Sequence, residues 1–239
     1  MRRFITLLAF VGLPVIGQSQ DWYVTASGTY TTNSMSQLKT IQESYVALTG
    51  LPLQTLTSFP PYWGFGVAVG RSFNERYSLG LSVNYTSTGG RVYYEDYSGS
   101  VYSDQILEAL SLEPYLQYRI IDSPVWPVYV SLGLTWVQTN MSFSEVVSIG
   151  GQSSKDIVKF HSNNFGLKPL LVGQRNFGDF FLQASLGFEI QLAGKLYVNG
   201  TDNVMTTPSG EPATAQWTGL RAGLGIGIFI RGKETDQNK

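Results

Sequence analysis

The chain has 239 residues, no cysteine and nearly balanced charge, with 16 Lys and Arg against 17 Asp and Glu. This composition excludes disulfides, thiolate metal sites, cysteine catalysis and a cysteine-linked lipid anchor, and it gives no basic surface for nucleic acid. Charged residues make up only 14% of the chain, below the roughly 25% of ordinary soluble domains, whereas Gly and the aromatic residues are plentiful. Such a composition is typical of a transmembrane β-barrel.

The N-terminus has the pattern of a secretory signal peptide. A pair of arginines precedes an apolar run over 4–16, and small residues follow, so cleavage is expected after Gly17 or Ser19. No later stretch reaches the roughly 18 consecutive apolar residues of a transmembrane helix. The sequence therefore predicts a signal peptide over 1–19, an outer-membrane β-barrel over 20–231 and a short periplasmic tail over 232–239.

Alternation of apolar residues with small or polar ones predicts eight β-strands. It is clearest over 220–230, where aliphatic residues take every second position and glycines with Arg221 take most of the others. The glycine face is too small for a solvated surface, so we expect lipid on the aliphatic side and a crowded barrel interior on the other. In chain order the predicted strands are 22–30, 62–73, 77–85, 106–120, 128–137, 160–174, 180–192 and 220–230.

The stretch between the first two strands contains a predicted amphipathic helix. Apolar residues recur at steps of three and four from Met35 to Leu48, and Gly50 and Pro52 follow. Three roles remain open for this segment: an ordinary long loop, which we favour, a lid on the outer mouth of the barrel, or a helix that binds a partner.

The connections between strands alternate in length. Those after the second, fourth and sixth strands are short turns, and the others are long loops. Outer-membrane barrels have short turns on the periplasmic side and long loops outside. The polar stretches 86–104 and 140–159 are predicted as external loops, although the tyrosines of 91–102 favour a β-ribbon above the membrane over an adhesive surface.

Aromatic residues gather near the ends of the predicted strands, where the interfacial girdles of a membrane barrel lie. They are Trp22, Trp63, Tyr77, Tyr85, Tyr118, Trp126, Trp136 and Phe180. With these girdles, the strand count and the alternating connections, the chain resembles the small eight-stranded outer-membrane barrels of the outer membrane protein A membrane domain and outer membrane protein X. The resemblance covers about 22–231 and implies an eight-stranded antiparallel up-and-down transmembrane β-barrel. No peptidoglycan-binding domain follows the predicted barrel, and the chain does not stop on the family's terminal aromatic residue.

Four charged residues are predicted to point into the barrel at one height: Glu113, Lys168, Glu189 and Arg221. Unpaired buried charges cost several kcal/mol, so we expect ion pairs. Lys168, Glu189 and Arg221 lie on neighbouring strands and are expected to pair directly, with Glu113 reaching across the lumen. The resemblance implies a comparable internal cluster that acts as a plug or a gate; a packed polar core is favoured over a gated small pore.

His161 is the only histidine, and His161-Ser162-Asn163-Asn164 faintly resembles the histidine–x–serine–asparagine signature of outer-membrane lipid A deacylases. The spacing differs, and adjacent residues of a strand point to opposite faces, so His161 and Ser162 do not form a base–nucleophile pair. We therefore expect His161 at the outer rim and predict no catalytic residue, no cofactor and no metal site.

The sequence favours a barrel in the cell outer membrane with a plugged polar lumen and a structural or loop-mediated binding role. A small gated pore is the alternative, and a lipid-modifying enzyme is a remote one. A soluble periplasmic barrel conflicts with the aliphatic face of the last strand. The expected partners are outer-membrane lipid and a protein or ligand at the external loops, with no nucleic acid.

Overall fold

One antiparallel sheet wraps around to meet itself in the computed structural model, which describes residues 22–50, 52–74, 76–192 and 194–230. The predicted signal peptide and periplasmic tail lie outside the described residues. The elements are β1 (Trp22–Thr31), α1 (Ser36–Thr49), β2 (Gln54–Ser58), β3 (Tyr62–Ser72), β4 (Tyr77–Asp96), β5 (Gly99–Ile121), β6 (Val128–Ile149), β7 (Gln152–Phe177), β8 (Phe180–Leu192), β9 (Tyr197–Val198) and β10 (Gly219–Ile230).

Eight of these strands form the barrel wall. The ring runs β1-β3-β4-β5-β6-β7-β8-β10, and β10 pairs with β1 to close it. The predicted eight-stranded antiparallel fold is confirmed. The sequence analysis missed β2, which pairs with β4, and β9, which pairs with β7, because both strands are short and lie within predicted loops.

An apolar belt surrounds the barrel and ends sharply toward the side of the long connections. On β7 the outward side chains change from Phe165, which is 61% exposed, to Asn163. On β6 they change from Trp136 to Gln138 in the same register. A closed barrel satisfies all of its backbone hydrogen bonds, so it is stable in a membrane. A continuous belt of exposed apolar side chains is stable only against lipid, and it therefore marks the membrane-spanning part of the barrel.

Strands β4 to β7 continue well past the belt. Their paired ladders run to Asp96↔Gly99 and Ile149↔Gln152, and β2 joins the β4 edge. The β-ribbon favoured for 91–102 is confirmed, whereas the loop predicted over 140–159 is wrong. The cause is that the outward face of β6 turns polar there while Met141 and Phe143 face inward, and β7 is polar on both faces over 152–156, so the pattern of the membrane-spanning part ends although the backbone stays extended. We call β2 with the parts of β4 to β7 beyond the belt the extracellular sheet.

The predicted helix is confirmed as α1. It ends before Gly50, which adopts the left-handed conformation (φ 63°) that commonly terminates helices. Among the described residues, no helix has the length and apolar character needed to cross a membrane.

A hydrophobic cluster fills the end of the barrel nearest the extracellular sheet. Met35 and Phe59 both enter it with positive φ angles (41° and 48°), a conformation uncommon for residues other than glycine. The helix, the segment before β10 and inward residues of β5, β6 and β7 supply the rest of the cluster. Its buried members are Met35, Leu38, Phe59, Leu107, Ala109, Val137, Met141, Phe160, Leu196, Ala213, Ala215 and Trp217.

Candidate functional site

The barrel interior contains two ion pairs at mid-height. The four side chains face inward because successive residues of a strand alternate between its two faces. Glu113 of β5 and Lys168 of β7 form the first pair across the strand between them. Gly133 of β6 lies in register with Lys168, and a Cβ at this glycine would stand only 2.2 Å from Glu113 Oε1. Ser82 Oγ donates to Glu113 Oε2 at 3.1 Å. The prediction that Glu113 reaches across the lumen is wrong, because a glycine on the intervening strand leaves the shorter path open.

Arg221 and Glu189 form the second pair on neighbouring strands, with Nε donating to Oε2 at 2.9 Å. The remaining donors of Arg221 bind backbone carbonyls of the connecting segments. Nη1 donates to Thr32 O at 2.7 Å, and Nη2 donates to Trp217 O. Arg221 thus links the barrel wall to the segment that follows β1 and to the segment that precedes β10.

A buried amide network continues from this pair toward the mouth. Gln191 Nε2 donates to Glu189 Oε1 at 2.6 Å, and Asn164 Nδ2 donates to Gln191 Oε1 at 3.2 Å and to Ala215 O at 2.6 Å. Trp217 lies above it, with Nε1 donating to Thr139 Oγ1 at 2.9 Å. The bonds to Ala215 and from Trp217 join the wall to the 194–218 segment, and the others lie within the wall on β7 and β8.

Lys168, Glu189 and Arg221 line one small cavity of about 50 Å³ together with hydroxyl and amide side chains. About 10–15 Å³ of such volume holds one water molecule, so the cavity has room for a few waters among polar groups. The direct pairing expected between Lys168 and Glu189 is absent among the described residues, since Lys168 bonds Glu113 instead.

Helix α1 is tied to the mouth by hydrogen bonds in three directions. Gln42 Nε2 donates to Thr57 O of β2 at 2.8 Å, and Gln37 Oε1 accepts from the Thr214 amide at 2.8 Å. Tyr45 donates its phenol to Glu145 Oε1 of β6 at 2.9 Å. Burial, with the neighbouring carboxylate of Glu145, raises the pKa of Tyr45 to about 12. The helix is therefore held at the mouth by these contacts, and its role as a loop element, a lid or a partner-binding helix stays a prediction.

His161 lies on the outer face, above the belt. Its Nδ1 is 2.9 Å from Asn199 Oδ1, and its ring stands beside that of Tyr197 at 5.9 Å between centroids. Ser162 is buried on the inner face and donates to Asn164 Oδ1 at 2.9 Å. The two residues point to opposite sides of the wall, as expected. The described part of the chain also contains no group of three or more His, Asp or Glu residues arranged to hold a metal ion.

The extracellular sheet carries its own polar contacts. On its outer face Arg91 and Asp104 form a bidentate pair at 2.5 and 2.8 Å. At the tip of the β4–β5 hairpin, Asp96 Oδ1 accepts from the Ser98 hydroxyl and amide at 2.6 and 2.8 Å. These hydrogen bonds, with that from Tyr94, lower the pKa of Asp96 to about 2.

Comparison with known proteins identifies the fold through structure alone. No protein-family model and no curated protein sequence matches the chain. The crystal structure of the outer membrane protein OprG from Pseudomonas aeruginosa superposes with a TM-score of 0.50 at 11% identity, covering 89% of this chain and 96% of that one. The fold is that of the small outer-membrane β-barrels.

Two further barrel structures are similar over most of their length. Neisserial surface protein A covers 87% of this chain and 96% of its own at 16% identity, with a TM-score of 0.32. The Ail attachment invasion locus protein of Yersinia pestis covers 90% and 100% at 14% identity, with a TM-score of 0.34. With its closed wall and apolar belt, the barrel is an integral protein of the outer membrane.

Sequence reasoning did not single out the residues that join the wall to the mouth. Trp217 lies just before the last predicted strand, and Asn164 and Gln191 are ordinary inward polar positions of β7 and β8. One available signal was Trp217 itself, because a tryptophan in a polar connection is unusual unless its ring is buried.

Proposed function

We propose that the protein is an outer-membrane barrel whose lumen is closed and whose extracellular sheet binds a partner at the cell surface. The observation that carries this proposal is the outer edge of β7. Residues 152–158 pair with β6 on one side, and no described residue pairs with them on the other. The edge ends where the Asn199 amide donates to Lys159 O at 2.9 Å.

This edge suits an extended polypeptide. Every side chain from 152 to 159 is exposed, and Ile157 is 52% exposed on the outer face. An unpaired strand edge presents a row of N–H and C=O groups to which another strand adds, with side-chain pockets giving specificity. The partner class is therefore a protein that offers an extended segment.

The packing at the mouth supports a closed lumen. The hydrophobic cluster around Trp217 lies on one side of the ion pairs. Aromatic side chains that contact each other lie on the other side, where the Tyr115 hydroxyl donates to the Tyr23 hydroxyl at 3.2 Å. An eight-stranded wall leaves an interior that side chains just fill.

A displayed library of random extended peptides, selected on the full-length protein in lipid nanodiscs, tests the binding edge. Ile157→Lys should abolish binding of the selected peptides, because a charge is placed on the pairing edge. Ser144→Lys is the matched control, since Ser144 pairs with Ile157 on the protected strand β6. Peptides that bind both variants equally, or a library that yields no binder, would contradict the proposal.

A gated small pore is the second candidate, and the cavity among Lys168, Glu189 and Arg221 is the observation in its favour. Planar-bilayer recording separates the two. A closed barrel gives no conductance steps in either the native protein or Glu189→Gln, whereas a gate gives steps that become more frequent when the Glu189–Arg221 pair is broken. We propose no enzymatic activity, since His161 and Ser162 lie on opposite faces.

A further inference from the structure

An arginine on the lipid-facing side of β3 lies within the girdle at the end of the barrel that carries the short turns. Arg71 is in register with Trp22 of β1, and its guanidinium carbon stands 5.4 Å from the centroid of that ring and 5.9 Å from the ring of Phe73. The aromatic pair holds the cation at the boundary between hydrocarbon and water.

The guanidinium of Arg71 has donors to spare. Its Nε is buried and has no hydrogen-bond partner, and no carboxylate of the described residues forms an ion pair with it. A buried N–H without an acceptor is destabilising. A planar guanidinium is also the side chain that best matches a phosphate group, which it binds through two parallel hydrogen bonds.

A groove in the apolar belt includes the same pair of strands. It has a volume of about 700 Å³ and spans six strands, from β5 through β4, β3, β1 and β10 to β8. At its centre the outward positions of β1 are occupied by the small residues Ala26 and Gly28. Larger side chains flank it on both sides, among them Phe65 and Val67 of β3 and Leu224 and Ile226 of β10.

The groove and the arginine lie at the distance that a lipid spans. Val67 and Phe65 are four and six residues from Arg71 along β3, which corresponds to roughly 13 and 20 Å at about 3.3 Å per residue. In a strand tilted by about 40° this is roughly 10 to 15 Å of depth, the depth of one leaflet of a hydrocarbon core about 30 Å thick. The short turns place this end at the periplasmic leaflet.

We propose that the β1–β3 face holds one phospholipid of the periplasmic leaflet, with the headgroup phosphate on Arg71 and an acyl chain in the groove over Ala26 and Gly28. The phosphate accepts hydrogen bonds from the terminal Nη groups of Arg71, which have no partner among the described residues, and the acyl chain fills the groove. The aromatic rings of Trp22 and Phe73 flank the headgroup on either side.

The opposite side of the barrel supplies a matched comparison. Arg175 of β7 stands 4.4 Å from the ring of Trp126 and 5.5 Å from that of Phe177, so its aromatic setting resembles that of Arg71. β7 lies three strands from β1, which carries Ala26 and Gly28, although Arg175 is in register with Leu182 of β8 at the edge of the groove. Arg175 thus has the cation and the rings at a position removed from Ala26 and Gly28.

Native mass spectrometry of the full-length protein, released from micelles that contain phosphatidylglycerol, measures the retained lipid. The native protein should retain one molecule, and Arg71→Gln should retain roughly tenfold less, the effect of losing a charge-assisted hydrogen bond. Gly28→Leu should reduce retention by filling the groove. A Cβ at Gly28 meets nothing closer than the Trp63 ring at 3.9 Å, so this variant introduces no clash at its Cβ. Arg175→Gln should retain lipid like the native protein.

Two competing probes fix the chemistry of the site. Digalactosyl diacylglycerol has the same tails without phosphate and should be retained far less, and excess inorganic phosphate should not displace phosphatidylglycerol, because it has no tail. A mobility shift on heating confirms that each variant is folded. The proposal is overturned if Arg71→Gln and Arg175→Gln behave alike, if the galactolipid is retained equally, or if Gly28→Leu leaves retention unchanged.

Discussion

Several glycines on the inner face lie directly beside a large side chain of the neighbouring strand. A Cβ built on Gly70 would stand 2.2 Å from the Tyr23 ring, and one built on Gly80 would stand 2.3 Å from the Tyr115 ring. Gly227 has the same relation to Phe181. The sequence showed that this face is small, but it did not show which glycine accompanies which ring, because that depends on the register between strands.

Replacing Gly80 by alanine should lower the free energy of unfolding by about 1–3 kcal/mol, since an extra methyl group must displace a packed ring. Tyr115→Leu removes the ring and should recover part of the loss in the double variant, as urea titration in lipid vesicles would show. Gly173→Ala is the control, because nothing lies within 4 Å of its Cβ position. Additive losses from Gly80→Ala and Tyr115→Leu would contradict the steric explanation.

The ion pairs show that a sequence predicts which charged residues face the barrel interior but not which of them pair. Alternation correctly turned Glu113, Lys168, Glu189 and Arg221 inward, because a strand leaves no other choice. It did not give the partners, since those depend on Gly133 and on the carbonyl groups that Arg221 binds. The role of these four residues as a plug or gate stays a prediction.

Arg221→Ala should lower the free energy of unfolding by about 3–5 kcal/mol, because it leaves the Glu189 carboxylate buried without its partner. Leu224→Ala, on the lipid-facing side of the same strand, should have a smaller effect. The comparison requires only the unfolding midpoints of both variants in urea. Shifts of equal size would show that the buried pair does not matter to stability.

At the scale of elements, the extracellular sheet shows that a strand can continue where the alternation of hydrophobic residues has ended. Strands β4 to β7 were found in their membrane-spanning halves, where one face meets lipid. Beyond the belt the outward face turns polar, as at Ser142 and Ser144 of β6, and on β7 both faces are polar over 152–156, so only the paired backbone reveals these halves. Helix α1 was found because its apolar stripe enters the core at Leu38.

The β4–β5 tip should lose its order in acid. The pKa of Asp96 is about 2 in the folded tip and 3.8 without its contacts, so the ionised carboxylate stabilises the tip above about pH 4. This contribution declines as the pH falls toward 2, when the carboxylate gains a proton. The amide shifts of Ser98 and Gly99 followed by NMR should titrate in this window, and Asp96→Asn should remove the titration while other tips are unchanged.

At the scale of the whole molecule, the strand count, the short turns and the aromatic girdles together were sufficient to predict the barrel. The filling of its mouth was not predictable, because the 194–218 segment has no periodicity and its fit depends on the shape of a wall that exists only after folding. The same holds for the groove above Arg71, which arises from small residues on one strand and large ones on its neighbours.

The intact protein should fractionate with the outer membrane and migrate faster on a gel before boiling than after it. The reason is that a closed ring of eight hydrogen-bonded strands resists detergent until it is heated. A soluble protein with one mobility would contradict the lipid-facing assignment of the belt.

The seam between β1 and β10 joins the first and last strands of the wall, and the two segments that enter the mouth flank it. One follows β1 and contains α1; the other precedes β10 and contains Trp217. Arg221, the first residue of β10 that pairs with β1, binds carbonyls from both segments. We therefore expect closure of the ring and packing of the two segments in the mouth to belong to one step of biogenesis, because a chain that has not yet joined its ends offers no complete wall for these segments to pack against.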